Sequence, residues 1–272
     1  MKIKREILIL AVAAALIAYV GCSNVNEVAA NLLISPEQEA ELGQAYVEEI
    51  EANDTLYPLY AANDGLVAYI DSIGQAIANL QKVRENVEFV FKIIDKDSVI
   101  NAFAVPGGFI YVYSGLILNA KNEAELAGVI AHEIGHVVAR HGAEAMVRQM
   151  GYGYLINLLA GDRELLKTAL NVSSGLIFVQ YSQKNEFEAD SLSVEFLPPN
   201  YYNPNGMRDF LQKLKDLHGS DDSPVSRFLS THPPTQERID RVSNIIARNN
   251  FDTSEELNYT TRFLEHRAVL DY

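Results

Sequence analysis

The sequence predicts an α+β fold, mainly helical, with a small sheet coded in the middle of the chain. Three observations point there. Apolar residues recur at helical spacing through most of the 272 residues. The period switches to alternation at Val87, Phe89, Phe91 and Ile93, set between Glu88 and Lys92. Pro106-Gly107-Gly108 then separates two extended apolar stretches as a hairpin turn. With 48% hydrophobic residues the chain can bury one sizeable core, so a single domain is the default.

Taken in order, Met1 to Glu6 carries Lys2, Lys4 and Arg5, and Ile7 to Val20 is an unbroken apolar run. That run is shorter than the roughly 20 residues of a spanning helix, so residues 1–21 read as an export signal. The only cysteine ends it, in Val20-Gly21-Cys22-Ser23. This resembles a bacterial lipoprotein signal, which implies that Cys22 is lipidated and that residues 22–34 tether the fold. Ser35-Pro36-Glu37-Gln38 is a capped helix start, and that helix runs to about Glu51. A second helix covers Leu66 to Leu80. The strand from Val87 to Ile93 follows, then the hairpin of Ser98–Val105 and Phe109–Tyr113. Asn122 can cap a third helix reaching about Met150, with Glu125 in the capping-box position. Beyond it lie an apolar stretch from Leu155 to Val179, read as core or as a cover over a cleft, and helices over Tyr181–Phe196, about Met207–Leu217 and about Thr235–Arg248. Residues 249–272 read as a tail.

Charge and cysteine count exclude several functions. Asp and Glu exceed Lys and Arg by 36 to 22, a formal charge of −14. Such a surface repels phosphate backbones, so no nucleic-acid partner is expected, nor docking by charge on anionic lipid. One cysteine excludes a disulfide framework and any multi-cysteine zinc site.

The segment that carries chemistry is His132-Glu133-Ile134-Gly135-His136. Residues four apart share a helix face, so both imidazoles can hold one metal ion, with Glu133 beside them to take a proton from water. Two histidines leave zinc short of a protein ligand. His141 lies nine residues after His132, on the opposite side if the helix continues. Glu186 and Asp190 share a face of the later helix, so one can ligate while the other supports a histidine; Glu188 points away from that pair.

These motifs resemble the zinc metallopeptidase family that includes the CAAX prenyl proteases, the HtpX membrane proteases and the periplasmic BepA-type proteases. The resemblance covers about residues 35–248 and implies a zincin-type domain with one Zn2+ held by His132, His136 and Glu186. It implies that Glu133 is the catalytic base and that Asp190 braces a ligand histidine. Asn101-Ala102-Phe103-Ala104-Val105-Pro106-Gly107-Gly108 matches a family segment, in which Asn101, Ala102, Phe103, Gly107 and Gly108 would bind an extended substrate along a sheet edge. The plain alternative is a structural hairpin. Ser230 to Arg238 matches another signature, which places His232 and Arg238 at the cleft as oxyanion stabilisers, or His232 as a reversible latch on the metal.

The implied function is an endopeptidase for extended or misfolded polypeptides, with outer-membrane proteins as targets, held at the bacterial outer membrane by a lipid on Cys22. Two other classes stand beside it: a holdase whose protease site is idle or latched, and a structural metal module. Glu133 argues against the last, because a structural site has no use for a base.

Overall fold

Ser35 opens the first helix, α1 (Pro36–Glu51), through a reciprocal cap. Its Oγ accepts the Gln38 N–H and the Gln38 side chain accepts the Ser35 N–H, with Pro36 in the first turn. The structure is a computed structural model and describes residues 27–28, 30–31, 34–80, 84, 87–150, 181–197, 201–217 and 226–270. The signal segment 1–21, Cys22, the stretch Leu155–Val179 and the loop Gly219–Pro224 lie outside the described residues.

After α1 come α2 (Asp64–Leu80), β1 (Val90–Ile94), β2 (Ala102–Val105) and β3 (Phe109–Tyr113). The sheet order is β1-β3-β2: β1 runs parallel to β3, and β2 pairs antiparallel with β3, Phe103 facing Tyr111. Both outer strands are shorter than the alternation suggests. Residues 96–99 are spent on a turn in which the Val99 N–H donates to the Lys96 carbonyl, so β2 starts only at Ala102.

The pleat sorts the strands between two layers. Ile93, Ala102, Ile110 and Val112 belong to the larger core, with Ile70, Ile73 and Ile77 of α2 and Leu126, Ile130 and Ile134 of the next long helix. Phe103, Val105, Tyr111 and Tyr113 face the other way, onto Leu42, Tyr46 and Ile50 of α1. Sheet and helices therefore form a three-layer stack.

A short helix, α3 (Ser114–Asn119), leads into α4 (Glu123–Val138), capped by Asn122 Oδ1, which accepts the Glu125 N–H at 2.9 Å. Every α4 residue from Glu123 to Val137 is buried. The expected single helix to Met150 is in fact two. Arg140 takes a left-handed φ of 59°, and α5 (His141–Met150) sets off in a new direction. The break is stabilised from far away: Arg140 Nε donates to Glu39 at 2.7 Å and its Nη2 to the Ile34 carbonyl at 2.6 Å.

The remaining described helices are α6 (Gln183–Glu195), α7 (Gly206–Asp216), α8 (Ser226–Thr231), α9 (Gln236–Asn249) and α10 (Thr260–Arg267). The segment after Asn249 is packed. Phe263 is wholly buried in the main core, and Arg262 pairs with the buried Glu123 at the start of α4. Tyr69 and Tyr202 also donate to Glu123, at 2.6 and 2.9 Å. That carboxylate is therefore fully partnered, at the helix end where negative charge is favoured.

Two glycines let neighbours approach α4. A Cβ at Gly135 would lie 3.2 Å from Ala189 of α6, and one at Gly128 would lie 2.4 Å from the Met207 backbone nitrogen of α7. Backbone cannot swing aside as a side chain can. Gly128→Ala is therefore expected to cost about 1–3 kcal/mol in urea unfolding; an unchanged midpoint would contradict this close packing.

Candidate metal centre

Helix α4 carries His132 and His136 one turn apart, and their Nε2 atoms come within 3.0 Å. Helix α6 crosses it where Gly135 admits Ala189. Ser182 caps α6 and Asn185 completes the capping box, which puts Glu186 in the first turn, where a carboxylate is favoured. Glu186 Oε1 then lies 3.4 Å from His136 Nε2, and Oε2 lies 3.5 Å from His132 Nε2. One turn on, Asp190 Oδ1 sits 3.1 Å from His132 Nδ1, behind the ring.

His232 enters from the end of α8. Its Nδ1 is 3.0 Å from Glu186 Oε1 and its Nε2 is 3.6 Å from Glu133 Oε1. His132, His136, Glu186 and His232 each offer one atom, all within 4.8 Å of one another, and all four side chains are buried. Three imidazoles and a carboxylate, with no thiolate among them, match the nitrogen and oxygen donors that zinc takes. Both Glu133 carboxylate oxygens are buried without a hydrogen-bond partner at the edge of this cluster. An unpartnered buried carboxylate is costly, and such a group stands where something else must complete it. The donor set therefore fits a metal ion.

The electrostatics divide the residues. Burial alone would lower His132, but Asp190 and Glu186 outweigh it and hold its pKa up to about 9. Burial dominates at His136 and drives it well below the usual imidazole range, leaving a neutral ring. Glu133 is pushed up by burial, against the pull of His232 and His132. Burial also opposes ionisation of Glu186, yet His232 and Arg238 hold it well below the usual carboxylate range.

Arg238 departs from its expected place. Its Nε and Nη2 donate to the two Asp190 oxygens at 2.7 Å each, and its Nη1 lies 2.7 Å from Glu186 Oε2. The side chain is 1% exposed, so the guanidinium faces the carboxylates from behind and not a cleft. Asp190 is 48 residues away in sequence, which spacing alone could not reveal.

The expected substrate edge is resolved in part. Among the described residues strand β2 pairs with β3 on one side only, and Ala104, Val105 and Pro106 border a narrow slot against His136, Gly142 and Tyr181. Asn101, Ala102 and Phe103 do not line it; all three are buried. Asn101 keeps both amide atoms without a hydrogen-bond partner. Gly107 and Gly108 sit at φ 89° and 105°, and a Cβ on Gly108 would meet the Glu88 carbonyl at 2.5 Å. The hairpin turn itself explains both glycines.

Three neighbours were not visible as such in the sequence. Tyr181 stacks on His136 at 3.9 Å between ring centroids. His141, expected on the far side of a continuous helix, returns to within 2.8 Å of His136, Nδ1 to Nδ1, because the helix breaks at Arg140. Glu188, expected to point away, reaches His141 at 3.6 Å. The only local hint of the break is Gly142, two residues past Arg140.

Comparison with known proteins agrees with this geometry. A family model described as peptidase family M48 matches residues 66–246. The chain is 34% identical over 231 residues to the beta-barrel assembly-enhancing protease of Yersinia pestis, covering 79% of this chain and 45% of that protein. It is 33% identical over 226 residues to the protein of the same name in Escherichia coli K12, covering 78% and 44%. The metalloprotease YcaL of Escherichia coli K12 is 27% identical over 259 residues, covering 90% and 98%. The chain thus spans about half the length of the first two.

Arg238→Met would strand Asp190 and Glu186 as buried charges. Losing one partner of such a network costs about 3–5 kcal/mol, to be read as a lowered unfolding midpoint. A variant as stable as the parent would show that the fork is not needed.

Proposed function

Because this chain belongs to peptidase family M48, we propose that it is a zinc-dependent endopeptidase acting on extended or misfolded polypeptides in the bacterial envelope. The observation that carries the reading is the unpartnered Glu133 carboxylate beside a buried donor set of His132, His136 and Glu186. Zinc bound there would supply a Lewis acid that polarises the scissile carbonyl and makes water easier to deprotonate. Glu133 takes the proton from the attacking water and hands it to the leaving amine. Burial raises its affinity for that proton, which suits a group that must hold and then release it. Asp190 orients His132 through Nδ1, and Arg238 keeps Asp190 and Glu186 ionised. An extended substrate would pair with the free side of β2, bringing its carbonyl beside His136. No covalent intermediate is required.

The name of the Yersinia and Escherichia relatives favours substrates among outer-membrane β-barrel proteins. No helix among the described residues is long and apolar enough to cross a membrane. Attachment through a lipid on Cys22 supplies membrane association in this proposal. It rests on the sequence of residues 1–22 alone.

A second role attaches to His232. Its closeness to Glu186 and Glu133 favours a latch, in which His232 would help hold a bound metal in the resting enzyme. An idle, client-holding state would be the same molecule with the latch closed.

Glu133→Gln is expected to lower hydrolysis of an unfolded protein at least ~100-fold while zinc content is unchanged. Equal activity in both proteins would contradict the assignment. His232→Ala should raise the rate with the same substrate; a fall would make His232 an oxyanion stabiliser instead.

A further inference from the structure

We infer that His141 and Glu188 form a second bracing chain for the metal centre, orienting His136 from behind and setting its affinity for zinc. The inference rests on the metal reading above and adds positioning residues to it.

With Nε2 of His136 given to a metal, the contacts around it fit one proton arrangement. His136 turns Nε2 into the cluster, 3.0 Å from His132 Nε2 and 3.4 Å from Glu186 Oε1. A neutral ring that offers the lone pair of Nε2 to a metal carries its proton on Nδ1. That Nδ1 is 2.8 Å from His141 Nδ1. Two nitrogens so close cannot both bear protons, so His141 accepts there. Its own proton sits on Nε2, a buried atom with no hydrogen-bond partner, facing Glu188 Oε2 at 3.6 Å. Ligand, imidazole and carboxylate thus run in series. Asp190 does the same for His132 in one step.

The backbone supports the assignment independently. His141 reaches His136 only because Arg140 is left-handed, a conformation that costs a non-glycine residue roughly 1–2 kcal/mol. Arg140 is held there by Glu39 and the Ile34 carbonyl, and Glu39 is held in turn by Arg84. Arg84 also donates to the Val137 carbonyl at 3.0 Å, satisfying the end of α4. An uncommon backbone state kept in place by remote contacts beside a functional site is a reason to ask what it positions. Here it positions His141. The Glu188 side chain is 45% exposed, so the last link is partly solvated and weaker than the first.

The test is zinc affinity of the full chain by competition with a chromophoric chelator. Losing a partner that orients a ligand histidine typically weakens metal binding about 10- to 100-fold. His141→Leu should fall in that range. His141→Asn, whose carbonyl can still accept from His136, should recover much of the loss, and Glu188→Ala should weaken binding less than His141→Leu. Thermal unfolding of the metal-free proteins should be nearly unchanged. Should His141→Leu fail to fold, Glu188→Ala decides alone, since its side chain is half-exposed. Zinc affinity of folded His141→Leu within about twofold of the parent, against the 10- to 100-fold expected, would overturn the inference, as would an unchanged affinity in Glu188→Ala where His141→Leu does not fold. A parent chain that binds no zinc would overturn the metal reading instead.

Discussion

The Arg238 guanidinium, buried between Asp190 and Glu186, is the contact on which the rest of the site depends. Two carboxylates one turn apart on α6 are out of water, and neither would stay ionised there unaided. One planar cation answers both, because its fork matches Asp190 while the remaining nitrogen reaches Glu186. Once Asp190 is an anion it can hold the His132 ring, and once Glu186 is an anion it can face the two Nε2 atoms. The same contact ties α9 to α6 and hence to α4. Charge pairing and helix packing therefore stabilise one arrangement together.

Helix α4 is the other constraint. Its burial from Glu123 to Val137 leaves nowhere for its polar residues to find water, so each needs a partner supplied by another element. Glu123 receives two tyrosines and Arg262, His132 receives Asp190, and His136 receives His141. Glu133 by contrast has no side-chain hydrogen bond on either oxygen, and His232 Nε2 stands 3.6 Å from one of them. That contrast distinguishes the residue proposed to move a proton from its neighbours on the helix.

Much of this was legible in the sequence. The Ser35 and Asn122 caps are short-range chemistry, and two helix starts follow from them. The four-residue spacings of His132 with His136 and of Glu186 with Asp190 state their own geometry once each helix exists. What could not be read depends on distant partners. The end of α4 at Arg140 is made by Glu39, 101 residues earlier, so the side on which His141 lies does not follow from its spacing. Nothing near Arg238 in the sequence announces two acids from another helix. The slot beside His136 uses the later half of β2, since a turn consumed the residues expected to begin that strand. The segment after Asn249 looks uninformative because one phenylalanine and one arginine do most of its docking.

Whether a metal ion sits among these buried side chains is decided by anomalous diffraction at the zinc edge from crystals of the zinc-loaded protein. One strong peak is expected at roughly 2.0–2.2 Å from a nitrogen of His132, a nitrogen of His136 and an oxygen of Glu186, with Glu133 outside the ligand set. No peak there, or a peak held by other residues, would contradict it.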